Sequence, residues 1–284
     1  MTLANQFSPS EGTTPLSRLA GSVNLGMIDI HTHVLPGFDD GATSLAESVE
    51  MVSVAEADGI VALFATPHSA FLVGKTYGKA EVEGAVDDLR RESSRHHSPV
   101  TVLPGIEVHL TPEIFQDIET GKAFPLNGSR YLLLELPFSG YPLSTEQVIS
   151  SLRRDCGLIP IIVHPERLEC FQQDPDLLRR LIELGGLSQL TAGSLTGRFG
   201  PTSQRLSRIM LDHGWVHFLA SDAHDSVQRA PRLSDALAAA AESIGEEAAR
   251  ALVIANPRAV LEDVEIQPGV PLAYEAKRRR WFVR

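Results

Sequence analysis

Seven short apolar runs, each followed by an amphipathic stretch, constrain the fold of this 284-residue chain more than any other feature. LLLEL (132–136), IPIIVH (159–164) and FLASD (218–222) carry almost no polar alternation. A strand with one wet face alternates apolar and polar residues, whereas a parallel strand covered on both faces stays apolar. Strands are therefore expected at 27–33, 60–66, 101–109, 130–136, 159–164, 187–191 and 216–222. Helices are expected at 45–57, 81–94, 145–156, 175–184, 203–213, 233–243 and 246–255, where apolar residues recur every three or four positions. Ser44 followed by Glu47 reads as the N-cap of the first helix. Such alternation predicts an α/β fold, a closed or nearly closed β/α barrel, with an open doubly wound sheet as its competitor.

No linker interrupts the middle of the chain, so one domain is expected over residues 25–265. A Ser/Thr/Pro/Gly-rich arm (1–24) precedes it and a tail (266–284) ending in KRRRWFVR follows. The formal charge is −11, from 25 Lys+Arg against 36 Asp+Glu, with no basic stripe; this argues against a nucleic-acid partner. No apolar run approaches the roughly 20 residues of a membrane helix, so direct membrane insertion is not expected. The first 24 residues lack the basic and apolar regions of a secretion signal. Two cysteines, Cys156 and Cys170, cannot form a disulfide framework, which suits a reducing, cytoplasmic compartment. Neither cysteine has an arginine six residues on, as a phosphate-cradling thiol loop requires.

The residues able to hold hard cations fall at the C-terminal ends of the expected strands. His31 and His33 close the first (IDIHTH), Asp40 follows in GFDDG, and His68 closes the second (ATPH). Glu107, Glu135 and His164 close the next three, and Asp222 and His224 the last (ASDAH). In a parallel barrel these ends share one rim, where active sites are built. The i, i+2 spacing of His31 and His33 puts both imidazoles on one side of a strand; Asp222 and His224 match this only if their strand continues so far. A carboxylate inside LLLEL needs a cation or a firm hydrogen-bond partner. Five imidazoles and four carboxylates exceed one tetrahedral zinc site and suit two or three divalent ions, with Mn, Fe or Zn fitting the mixed ligation. His109, His213 and His217 are read as structural, and His96 and His97 as solvent-facing.

IDIHTH, DDG, TPH, GIEVHLTPE, SRYLLLELPF, IIVHPER and ASDAH followed by Arg229 together resemble the PHP (polymerase and histidinol phosphatase) superfamily. Within it the chain is similar to the CpsB/YwqE group of bacterial protein-tyrosine phosphatases, from about Met27 to NPRAVL (256–261). That resemblance implies a distorted (β/α)7 TIM-like barrel, the PHP fold, with up to three metal ions, usually manganese. It implies His31, His33, Glu107 and Asp222 around one ion, Glu107, Glu135 and His164 around a second, and Asp40, His68 and His224 around a third. Arg167 (HPER) and Arg229 match arginines that clamp a phosphoryl group. The loop after TPH (SAFLVGKTYGKA) and the N-terminal arm depart from the family pattern.

The function implied is hydrolysis of phosphotyrosine by metal-activated water, on a membrane-associated bacterial tyrosine kinase that controls capsule or exopolysaccharide synthesis. Divalent ions returning about +6 charges reconcile an acidic chain with an anionic substrate. A histidinol-phosphate or other small-molecule phosphoesterase of the same superfamily is the alternative, and a non-catalytic metal-binding scaffold the second. A homo-oligomeric state is left open.

Overall fold

The computed structural model describes residues 26–69 and 77–274. The expected arm, the KRRRWFVR end and most of the SAFLVGKTYGKA loop lie outside them. Among the described residues eight parallel strands form two sheets: β1 (Met27–Thr32), β2 (Ile60–Ala65) and β3 (Thr101–Pro104) in one, and β4 (Glu107–His109), β5 (Tyr131–Glu135), β6 (Ile159–Val163), β7 (Leu187–Thr191) and β8 (Phe218–Ala220) in the other. Every pairing joins strands adjacent in sequence. Two isolated parallel bridges, Thr32 with Ala223 and His68 with Glu107, tie the sheets together at the C-terminal rim.

Two expected strands differ. The run 101–109 is broken at Gly105 and Ile106. A Cβ at Gly105 would lie 2.6 Å from the Leu126 side chain, so any other residue there would have to displace that buried leucine. Through the break the chain still follows β2 and its extension, with Gly105 N–H donating to Ala65 O and Glu107 N–H to Pro67 O, while β4 takes up β5. The last expected strand shrinks to Phe218–Ala220, leaving Asp222 and His224 beyond it.

Along the strands alternate residues separate into two apolar groups. Ile28, Ile30, Ala62, Phe64, Leu103, Tyr131, Leu133, Ile159, Ile161, Leu187 and Phe218 form one cluster, so one face of both sheets encloses a common core. Leu63, Val102, Leu132, Leu134, Ile162, Leu190 and Leu219 face the helices. The expected helices are present with shifted ends. Leu45–Ala57 is capped as expected, the Ser44 side chain accepting the Glu47 N–H. The expected helix 246–255 becomes two, Glu246–Val253 and Ala255–Leu261. Pro257 has no N–H to give the Val253 carbonyl four residues back, and fits only in the first turn of a helix, so the second helix starts afresh at Ala255.

Folded structure continues past residue 265. Buried Trp215 donates Nε1–H to Leu272 O at 3.0 Å, and Leu272 N–H returns to His213 O at 3.0 Å.

His217 proves structural, as expected. Its Nδ1 accepts the Ser188 N–H at 3.1 Å, and burial pushes its pKa down to about 4. A folded value below the ordinary 6.5 means that the stability it contributes is complete above about pH 6.5 and lost as pH falls toward 4. His217→Gln offers an oxygen to the same N–H without titrating. The variant is expected to escape about 2 kcal/mol of acid destabilisation between pH 7 and pH 4.5, read by urea unfolding at both values. Equal losses in variant and wild type would refute this.

Candidate metal centre

The C-terminal rim gathers residues carried by or directly following every strand but β3. His31 is the fifth residue of β1, where strict alternation after Ile28 and Ile30 would point it outward. The register of β1 on β2 is irregular between Asp29 and Thr32, and this shift brings His31 inward beside His33. Glu107 opens β4, and Glu135 ends β5 on the face carrying Tyr131 and Leu133. His164 and Asp222 follow β6 and β8 with φ of +36° and +53°, a left-handed backbone that turns each side chain into the rim.

Glu107 is the hub. Its Oε1 lies 3.0 Å from His164 Nε2. Its Oε2 lies 2.7 Å from His68 Nδ1, 3.4 Å from His31 Nε2 and 3.5 Å from His33 Nε2. Glu135 approaches His164 at 3.5 Å and His68 at 3.9 Å. Asp222 Oδ1 lies 3.4 Å from His33, 3.6 Å from His224 and 3.8 Å from His31. Asp40 Oδ1 is 3.4 Å from both His68 and His224. All nine sequence-predicted side chains thus belong to one connected network.

Several neighbours were not anticipated. His31 Nδ1 meets Gln189 Oε1 at 2.9 Å and His33 Nδ1 meets Asp39 Oδ2 at 2.7 Å. Each Nδ1 therefore carries the proton of the neutral ring, and each Nε2 carries the lone pair. Those two Nε2 atoms face each other 3.2 Å apart, with Glu107 Oε2 and Asp222 Oδ1 beside them. Lone pairs converging in a buried site require a proton or a cation between them. Glu107 Oε2 and His68 Nδ1, despite their approach, make no aligned hydrogen bond, and neither does His164 Nδ1. The donors fit divalent ions: His31, His33 and Glu107 form one group with ligand atoms within 4.8 Å of one another; His33, Asp40, His68 and His224 form another; His68, Glu107 and Glu135 a third. The groups overlap through His33, His68 and Glu107. Asp39 was legible as an acid of the GFDDG turn, but spacing alone does not separate it from Asp40. Gln189 inside LSQLT carries no such signal.

Electrostatics follows from this crowding. Burial opposes charge on His33, yet the Asp39 and Asp222 carboxylates raise its pKa to about 9. His68 is likewise raised against burial, by Asp40, Glu107 and Glu135, to about 11. Glu107 and Asp222 stay well below the ordinary carboxylate range, the imidazoles, and for Asp222 also Arg229, overcoming burial. His224 is lowered by burial and by His33. The Asp40 side chain is 67% exposed while those of His31, His33 and Glu107 are fully buried, so the centre opens at the Asp40 end.

Arg167, on the one-turn helix Pro165–Arg167, donates Nη1–H to Asp222 Oδ2 at 2.5 Å. Arg229 donates Nη2–H to the same oxygen at 2.8 Å. The Arg167 guanidinium lies 4.4 Å from the Phe199 ring centre and 5.2 Å from that of Phe138, itself stacked on His164. His109, expected to be structural, touches the centre, its Nδ1 lying 3.3 Å from Glu135 Oε2.

Fold and site together define an α/β protein of parallel strands that carries a histidine–carboxylate centre, flanked by two arginines, at its C-terminal rim. A family model described as capsular polysaccharide synthesis, CpsB/CapC, matches residues 27–262. The chain belongs to that CpsB/CapC family. It is 38% identical over 258 residues to the tyrosine-protein phosphatase YwqE of Bacillus subtilis, covering 90% of this chain and 99% of that protein. The putative tyrosine-protein phosphatase CapC of Staphylococcus aureus is 34% identical over 263 residues, with the same coverage. A crystal structure from work on YwqE of B. subtilis and CpsB of Streptococcus pneumoniae, described as unique metal-dependent tyrosine phosphatases, superposes with a TM-score of 0.83. It is 35% identical and covers 88% of this chain and all of that one. A lactonase of Listeria monocytogenes shares the fold alone, with a TM-score of 0.51 at 12% identity, covering 84% of this chain and 94% of that one.

Proposed function

We propose that this chain is a metal-dependent protein-tyrosine phosphatase. The observation that carries the reading is the pair of imidazole Nε2 atoms meeting beside Glu107 and Asp222, each ring locked from behind by Gln189 or Asp39. Three ions would be held by His31, His33, Glu107 and Asp222, by Glu107, Glu135 and His164, and by Asp40, His68 and His224. Manganese is the proposed metal, with iron or zinc compatible with the donors. The scaffold we propose is a distorted (β/α)7 barrel, with β3 and β4 counted as one broken strand, forming a single domain after the arm (1–24), on which the tail (266–284) packs through Leu272. The substrate is a phosphotyrosine protein; we propose a bacterial tyrosine kinase of capsule or exopolysaccharide synthesis, met in the cytoplasm. Among the described residues no helix is long and apolar enough to cross a membrane.

Bound divalent ions would supply Lewis acidity, making water nucleophilic near neutral pH and offsetting charge on the phosphoryl oxygens. The protein does the rest. Gln189 and Asp39 fix the imidazole tautomers, and Arg167 and Arg229 hold the phosphoryl group through planar donor forks. Phenolate leaves readily, and no residue is assigned to protonate it.

The reading is tested by turnover of a phosphotyrosyl peptide against histidinol phosphate, with metal content, in wild type and His33→Ala. Phosphotyrosine is expected to dominate, and His33→Ala to lose both activity and metal. Exhaustive chelation is expected to abolish turnover and manganese to restore it, whereas thiol alkylation leaves it intact because Cys156 and Cys170 are buried and take no part. Turnover surviving full chelation would end the metal reading.

Loading should also release protons. His33 and His68, raised to about 9 and about 11, hold protons at neutral pH that a cation must displace. Affinity is therefore expected to fall as pH falls. Calorimetry at pH 7.5 in buffers of different ionisation enthalpy should show at least about one proton released per chain; buffer-independent heats would contradict this.

A further inference from the structure

A cavity of about 220 Å³ opens beside the centre. Ser221 and Arg229 form the wall it shares with Asp222, and Phe199, which packs on both Arg167 and Arg229, lines it too. Its charged lining is Arg198, Arg229 and Arg232 against the single carboxylate of Asp235. In a chain of net charge −11 this concentration of cations runs against the average. Arg229 already gives its Nη2–H groups to Asp222 and belongs to the phosphoryl site. Arg198 and Arg232 are both exposed, and neither guanidinium makes an ion pair or hydrogen bond among the described residues. Exposed arginines elsewhere divide: Arg91, Arg95 and Arg154 each pair with a nearby carboxylate, whereas Arg205, Arg208 and Arg250 do not among the described residues, so what sets Arg198 and Arg232 apart is their place on one cavity. Two unpaired forks at one cavity suit an anion with several acceptor oxygens.

We propose that this cavity is a second anion subsite, holding an acidic side chain next to the phosphotyrosine in the substrate polypeptide. The inference rests on the phosphatase reading above. It makes Arg198 and Arg232 determinants of which phosphotyrosine is chosen, outside the machinery that cleaves it. The shared ligand chemistry is an anionic oxygen cluster, supplied by a carboxylate or by a second phosphoryl group.

The test uses the manganese-loaded full chain and three phosphotyrosyl peptides, flanked by glutamate, by a second phosphotyrosine or by glutamine. Wild type is expected to favour one or both anionic peptides over the glutamine peptide by about fivefold in kcat/KM at low salt, less at high salt. The more favoured anionic peptide identifies the source. The Arg198→Ala/Arg232→Ala variant is expected to lose that preference while hydrolysing phenyl phosphate at the wild-type rate. Absence of preference in wild type, or its survival in the variant, overturns the proposal. Fluorescence anisotropy of the labelled peptides reads the same preference as binding. If wild type hydrolyses none of these esters, the phosphatase reading fails, and the charge-dependent binding and its loss in the variant still decide the subsite.

Discussion

Glu107→Gln is expected to lower phosphotyrosine turnover by at least about 10³-fold and to remove at least one metal ion per chain. Glutamine keeps the shape of glutamate but loses the charge. At this position the charge does several jobs at once, because Oε1 meets His164 while Oε2 meets His31, His33 and His68. The side chain is fully buried, so no solvent screens the loss. An amide can offer one oxygen to one cation, but its NH₂ would face an imidazole or a metal that wants a donor lone pair. Disruption should stay local, since Leu103, Leu133 and Ile161 pack the core below the rim without it. Far-UV circular dichroism should therefore match wild type while metal analysis and kcat/KM do not. A variant that kept its full metal complement and lost less than tenfold would show that Glu107 neither bridges nor ligates.

How far the sequence foretold this centre depends on which physical signal each residue left. Glu135 was legible because a carboxylate in LLLEL has no inexpensive alternative to a partner; His31 and His33 were legible from their spacing and position at a strand end. Their facing Nε2 atoms were not, because that geometry depends on a register irregularity in β1 and on Gln189, some 158 residues away. Asp222 and His224 gather at the rim even though β8 stops at Ala220, through a left-handed turn rather than a continued strand. Periodicity reports strands and helices but not the single φ angle that redirects a side chain. Gly105 is a similar case: the run Thr101–His109 reads as one strand, and the close approach of the Leu126 side chain at the break leaves no trace in the local pattern. His109 looked structural because one histidine at a strand end carries no pattern; its approach to Glu135 comes from the pairing of β4 with β5.

Arg167→Lys is expected to cost about 10²-fold in kcat/KM on a phosphotyrosyl peptide, with metal content unchanged, and Arg229→Lys about tenfold. The two arginines share one oxygen of Asp222 but differ in what remains free. Arg229 also donates Nη2–H to the Asp222 backbone carbonyl at 3.0 Å, so part of its fork is occupied in holding the turn. Arg167 engages only Nη1 among the described residues, and its guanidinium is positioned by Phe199 and Phe138 rather than by further hydrogen bonds. Its other N–H groups are thus available to phosphoryl oxygens, at an angle set by aromatic packing. Lysine keeps the positive charge, so a purely electrostatic role would survive the change with little loss. What lysine cannot keep is the planar fork or its stacking on two rings, since an ammonium is a point charge on a flexible stem. Steady-state kinetics separates the two roles. A deficit confined to KM would mean that Arg167 only attracts the anion, whereas a deficit mainly in kcat would mean that its fork fits the phosphoryl group as the bond to the phenolate breaks. The aromatic seat favours the second outcome, because a residue needed for charge alone has no use for a fixed orientation.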